Sequence, residues 1–197
     1  MAQTALITGA SNGIGLELAK IHAKQGGDLV LVARSADKLN ALADELRHQY
    51  GVKVAVIAKD LVQSNAATEI FAETERLGIT VDILMNNAGI GGHGRFFERD
   101  LAKDTQMIQL NITSLTELTH LYLQGMVQRR SGKILNVFYR IVSARSFTSG
   151  VLRQQSLSNV IQPSYCRGSA RVRHHRNRAL PRSCCHRICA GRRFTGC

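Results

Sequence analysis

A short apolar run, Thr4-Ala5-Leu6-Ile7, passes directly into Thr8-Gly9-Ala10-Ser11-Asn12-Gly13-Ile14-Gly15, and Leu16-Glu17-Leu18-Ala19 continues as a helical pattern. A strand, a glycine turn and a helix in immediate succession leave few folds open. Gly9 permits the tight turn, Gly13 lets the backbone approach a pyrophosphate, and Gly15 lets the following helix pack closely. The helix N-terminus adds unpaired N–H groups and the positive end of a dipole, both suited to a phosphate. A glycine-rich loop alone is weak evidence, and the strand before it and helix after it supply the context such a motif requires.

The same alternation runs on through residue 137. Ala5–Thr8 is the first expected strand. A helix follows over Ile14–Gln25, with Ile14, Leu18 and Ile21 on one face and Gly26-Gly27 closing it. Leu29-Val30-Leu31-Val32-Ala33 is continuously apolar, as in a parallel strand covered on both faces. Ser35 is the expected N-cap of a second helix to Tyr50, with Gly51 past its end. Val52–Ala58, a helix over Ser64–Leu77, and Val81–Asn86 come next, then a loop with Gly89, Gly91, Gly92 and Gly94. Asp104–Arg130 predicts two helices, or one long helix broken near Asn111, and Lys133–Val137 is a fifth strand. Alternating elements of this kind imply an α/β, Rossmann-like, doubly wound parallel sheet. A ligand then binds outside the carboxyl ends of the strands. The polar residues fall there: Ser11 and Asn12, Arg34, Asp60, and Asn87-Ala88-Gly89.

Charge divides the chain in two. The net charge is +12 over 197 residues, yet acids and bases balance through residue 137. Residues 138–197 contain arginine but no lysine and no acid. All five cysteines (Cys166, Cys184, Cys185, Cys189, Cys197) and both prolines (Pro163, Pro181) lie there as well. The expected organisation is a dinucleotide-binding domain over 1–137, its sheet cut short after the fifth strand, and an irregular basic tail over 138–197. Met1-Ala2-Gln3 has no basic n-region of a secretory signal. No stretch reaches the roughly 20 apolar residues of a membrane span. A cytoplasmic setting without membrane attachment is the expectation.

T-G-x-x-x-G-x-G at 8–15, Asp60-Leu61, N-N-A-G at 86–89 and Leu110-Asn111 occur in an order and spacing similar to the short-chain dehydrogenase/reductase family. The resemblance covers residues 1–137. It implies an NAD(P)-dependent oxidoreductase that moves hydride between a nicotinamide and a small-molecule carbonyl or alcohol, commonly as a homo-oligomer. By the same resemblance, Gly9, Ser11, Asn12, Gly13, Ile14 and Gly15 hold the pyrophosphate side of the cofactor. Asp60 and Leu61 flank the adenine, Asn87, Ala88 and Gly89 line the ribose, and Asn111 is the catalytic asparagine that holds a water. Arg34 follows the second strand where NAD enzymes usually carry an acid for the ribose 2′-OH, and an arginine there suits a 2′-phosphate. NADP is therefore favoured over NAD. The competing readings are ordinary ones: Arg34 as a solvated residue, Asn111 as a helix kink, Asp60 as a turn residue. His22, His48, His93 and His120 lack metal-ligand spacing and are expected at the surface or in packing. No metal is expected.

The resemblance breaks after Asn136-Val137. The family continues with a serine and then Y-x-x-x-K, whose lysine lowers the pKa of a phenol that otherwise titrates near about 10. Here Phe138-Tyr139-Arg140-Ile141 follows, and Lys133 is the last lysine of the chain. Back-translating Gly150–Leu157 and reading one base later permits V-Y-Y-A-N-K-A. The same offset permits S-I-A-S from Phe138–Ala144 and A-L-C-P-G-P-V-A-T from Ala179–Ile188. A reading-frame change near codon 138 accounts for all three and for the excess of arginine. The rival reading is a dinucleotide-binding module whose arginines (Arg167, Arg171, Arg173, Arg176, Arg178) form a basic arm for nucleic acid or another acidic partner. A selected nucleic-acid role is disfavoured. A zinc site at Cys184, Cys185, His186 and Cys189 matches no common spacing.

Overall fold

Five strands pair in parallel in the order β3-β2-β1-β4-β5. They are β1 (Thr4–Thr8), β2 (Asp28–Ala33), β3 (Val54–Ala58), β4 (Ile83–Asn86) and β5 (Lys133–Asn136). The helices are α1 (Gly13–Lys24), α2 (Ala36–Tyr50), α3 (Ala66–Arg76), α4 (Leu101–Ile108) and α5 (Leu115–Gln128). This computed structural model describes residues 2–92 and 94–138. The tail readings, His93 and the segment from Tyr139 onward lie outside the described residues.

The period-two geometry of a strand explains why two helical layers form. Ala5, Ile7, Leu29, Leu31 and Met85 point to one side and pack with Ala19 and Ala23 of α1 and Leu39, Leu42 and Leu46 of α2. Leu6, Val30, Val32 and Leu84 point to the other and meet Ala67 and Ile70 of α3 and Leu118, Tyr122 and Met126 of α5. The unbroken apolar run of β2 thus reflects a strand buried on both faces. Each fully buried leucine or isoleucine contributes about 1.5–3 kcal/mol.

Several local expectations change. The face of α1 that meets the sheet is Gly15, Ala19, His22 and Ala23, while Ile14 and Ile21 are 43% and 54% exposed. Small residues face inward because the leucines and isoleucine of β1 and β2 already fill the space beneath the helix. His22 is the packing residue there. Its Nε2 lies 2.9 Å from the Gln3 carbonyl, and its ring fills the space beside Gly27. Ser35 stands at the start of α2, but its side chain makes no capping bond. Gly51 ends α2 at φ +68°, as expected of a left-handed cap. The region 101–128 is a single run. A π-helical turn at Gln109–Ser114 joins α4 to α5 without a loop, with Asn111 inside it. Phe96 and Phe97 are 53% and 79% exposed, so neither belongs to the core.

Candidate functional site

The strand order reverses between β1 and β4, and the loops leaving those two strands are held together by Thr8. Its hydroxyl accepts N–H bonds from Asn87 (2.9 Å) and Ala88 (3.0 Å). The Asn87 amide nitrogen donates back to the carbonyls of Thr8 (3.0 Å) and Gly9 (3.3 Å). A Cβ on Gly15 would meet this same knot, 2.5 Å from Asn87 Nδ2 and closer still to the Gly9 carbonyl oxygen. The third glycine is thus required by the turn-to-loop contact rather than by the sheet surface itself. Gly9 adopts φ +69° with Ala88 Cα against it, and Gly13 adopts φ +57° with nothing within 4 Å of its Cβ position. Gly13 is the first residue of α1. Neither an acid in its first turn nor a side-chain cap occupies that N-terminus. Its first N–H groups remain available, and an anion there gains from the helix dipole.

Ser11 is half-buried, and Asn12, Gly13 and Ile14 are exposed along the rim. Arg34 follows β2 and is exposed. It belongs to none of the ion pairs among the described residues. Asp60 follows β3, beyond the bond from Lys59 N to the Ala33 carbonyl (2.9 Å), and its carboxylate accepts from Val62 N at 3.1 Å. The Leu61 side chain is buried in the α3–α5 layer, and its carbonyl accepts the Ser114 hydroxyl at 2.5 Å. Only the backbone of Leu61 can therefore face a ligand.

Asn111 closes the other end of the site. Its Oδ1 accepts from Ile90 N (3.0 Å) and its Nδ2 donates to the Ile90 carbonyl (2.8 Å). The clasp uses one donor and one acceptor of the carboxamide, so one N–H and one lone pair of Asn111 remain to act on a solvent molecule. π-Helical turns such as the one that carries Asn111 interrupt the regular carbonyl ladder and often mark functional positions.

Three residues of the framework escaped the sequence reading. Thr8 is legible only as the first letter of its motif. Thr119 and Asn136 are not legible at all: Asn86 Nδ2 donates to Thr119 Oγ1 (3.1 Å) and Asn136 Oδ1 (2.9 Å), locking β5 and α5 beneath the loop after β4. Asn86 Oδ1 and Asn87 Oδ1 are buried without a partner among the described residues. Polar capacity is concentrated at this strand end. No group of three metal-ligating side chains occurs among the described residues, and none of their helices is long and apolar enough to cross a membrane.

A family model described as short chain dehydrogenase matches residues 3–145, eight residues beyond the 137 at which the motif pattern stops. A very-long-chain 3-oxoacyl-CoA reductase of Anas platyrhynchos is 39% identical over 138 residues, covering 68% of this chain and 44% of the relative. A 3-oxoacyl-(acyl-carrier-protein) reductase of Aquifex aeolicus is 30% identical over 135 residues, covering 68% of this chain and 54% of the relative. The chain thus spans about half the length of the curated relatives it matches. A short-chain dehydrogenase from Sphingobium yanoikuyae, solved in complex with NADPH, superposes with a TM-score of 0.75 at 33% identity, covering 82% of this chain and 63% of that one.

Proposed function

Because the chain belongs to the short-chain dehydrogenase family, we propose that its described part is an NADP(H)-binding domain whose ancestral reaction is carbonyl reduction or alcohol oxidation. The carboxyl ends of β1 and β2 carry this reading: open backbone at Gly13, an α1 N-terminus without acid or cap, and an exposed Arg34 after β2. Those features suit a pyrophosphate and a 2′-phosphate. Gly9, Ser11, Asn12, Gly13, Ile14 and Gly15 would hold the diphosphate, with Arg34 at the 2′-phosphate. Asp60 and the Leu61 backbone would flank the adenine, and Asn87, Ala88 and Gly89 the ribose. When bound, NADP(H) supplies or accepts the hydride. The relatives' printed substrates, 3-oxoacyl thioesters, make a 3-oxo compound a suitable first class to try.

The chain's own contribution to proton transfer is the weak point. None of its four tyrosines has a lysine four residues on. The chain therefore lacks the Tyr-x-x-x-Lys element with which the family protonates a carbonyl oxygen near neutral pH. Asn111 can order a solvent molecule but cannot replace that acid. We therefore assign this chain cofactor binding without ordinary turnover, in a cytoplasmic setting, and attribute residues 138–197 to a reading-frame change. Homo-oligomerisation belongs to the same family-based proposal. The basic arm for an acidic partner is the second reading, favoured only by the concentration of arginine after residue 137.

Fluorescence titration of the purified 197-residue chain is expected to show NADPH bound more tightly than NADH, with Arg34→Ala removing the preference. Incubation with NADPH and a carbonyl panel is expected to give no turnover above background. Turnover at an ordinary enzyme rate would overturn the assignment of inactivity. Coding DNA that fails to restore Y-x-x-x-K in the adjacent frame would remove the frame-change explanation and favour the basic arm.

A further inference from the structure

Arg99 and Asp104 form the most enclosed ion pair among the described residues, with side chains 10% and 9% exposed against 24% or more in every other pair. The pair joins the short 3-10 turn Phe96–Glu98 to the first turn of α4. Arg99 also reaches backward. The three atoms nearest a Cβ built on Gly92 are the Cζ, Nη1 and Nη2 of Arg99, so the guanidinium lies where any side chain at 92 would stand. Two residues earlier, Ile90 is gripped by Asn111 through both its N–H and its carbonyl. Asp104, Met107, Asn111 and Ser114 recur at helical spacing along the inward side of α4 and its π-helical continuation. One helix face thus holds both anchors of the segment 89–92, Asn111 directly and Arg99 through Asp104.

We propose that Arg99, held in place by Asp104, is a positioning residue for this segment, fixing the loop that borders the nicotinamide side of the nucleotide without touching the nucleotide itself. The inference rests on the cofactor reading above, because Ala88 and Gly89 enter that segment directly. The adenosine side, with Arg34 and Asp60, lies across β1 and β2 from it. An arginine suits this role, because its planar, permanently charged fork lies flat on bare backbone while pairing with a carboxylate. Gly92 is suited too, since any larger residue would expel the guanidinium.

Calorimetric titration of the full 197-residue chain with NADPH and, separately, with adenosine 2′,5′-bisphosphate tests the proposal. Arg99→Ala and the near-isosteric Asp104→Asn are expected to weaken NADPH by about ten-fold, equivalent to about 1.4 kcal/mol. Affinity for the bisphosphate should stay within about two-fold, as for a distant, uncoupled site. A general loss of structure would weaken both ligands alike, and that result overturns the proposal, as does unchanged NADPH binding in a folded variant. If Arg99→Ala fails to fold, Asp104→Asn and Arg99→Lys decide by the same comparison. A parent chain that binds the two ligands equally well also overturns it while leaving the cofactor reading intact. A parent chain that binds neither refutes the cofactor reading, and this inference with it.

Discussion

Gly15 has a far more exacting position than Gly13, although the motif writes them with the same letter. At Gly13 an added methyl group meets open space and only the left-handed φ resists it. At Gly15 it collides with the Gly9 carbonyl and the Asn87 amide, both parts of the Thr8 knot. Gly15→Ala is therefore expected to destabilise the chain by about 1–3 kcal/mol, the usual cost of overpacking where backbone must yield. It is also expected to abolish NADPH binding by pushing the turn after β1 away from the loop after β4. Urea melts alongside a nucleotide titration check both, and a variant of parental stability would contradict the geometry. The motif residues were legible because each letter marks a local requirement: a turn, a close approach, a strand end. Thr119 and Asn136 were not, since their partner Asn86 is 33 and 50 residues away in sequence. Nothing local distinguishes a threonine that locks a sheet from one that does not.

At the scale of elements, β2 and the end of α2 were legible for physical reasons that act locally. An apolar run marks a strand covered twice, and Gly51 supplies the left-handed cap. The inward face of α1 was not, because the sheet beneath it selects small side chains over the isoleucines that hydrophobicity alone favours. The continuity of 101–128 was also ambiguous, since an asparagine in mid-helix reads equally as a break or as a π-helical turn. The end of α5 departs from the usual residue choice. Arg130 N donates to the Val127 carbonyl (3.0 Å) and Ser131 N to the Met126 carbonyl (3.1 Å), which is the Schellman pattern. The left-handed position, however, is filled by Arg130 at φ +53°, and the glycine comes two residues late at 132. Arg130→Gly relieves that strain at the cost of a freer unfolded chain. We expect a net gain of about 0.5–1 kcal/mol in chemical denaturation; a loss would mean that the Arg130 side chain contributes more than its backbone conformation costs.

For the molecule as a whole, the α3–α5 layer carries a titratable group inside its apolar packing, and this ties global stability to alkaline pH. Tyr122 is buried edge-on to Phe71, at a ring separation of 5.2 Å, with its hydroxyl 2.9 Å from Thr74 Oγ1. Thr74 spends its own proton on the Phe71 carbonyl at 2.8 Å. Tyr122 must therefore be the donor, and its ionisation would remove the bond as well as bury a charge. Burial, reinforced by the nearby Glu75 carboxylate, pushes the phenol up to about 12. An unfolded tyrosine titrates near about 10. Because the folded value is the higher one, the contribution is complete below pH ~10 and is lost as pH rises through ~12. The rise from about 10 to about 12 corresponds to roughly 2–3 kcal/mol by this linkage. Tyr122→Phe is expected to cost about 1 kcal/mol at neutral pH, by stranding the Thr74 acceptor. Its stability should nevertheless fall less steeply between pH ~10 and ~12, where only the parent must deprotonate Tyr122 to gain the unfolded state's advantage. Denaturation midpoints of the two chains should converge as pH rises into that window and then cross, because the roughly 2–3 kcal/mol lost by the parent exceeds the about 1 kcal/mol that separates the two at neutral pH. Parallel curves would show that Tyr122 ionises in the folded protein as freely as in the unfolded one, and that the α3–α5 layer admits water at its centre.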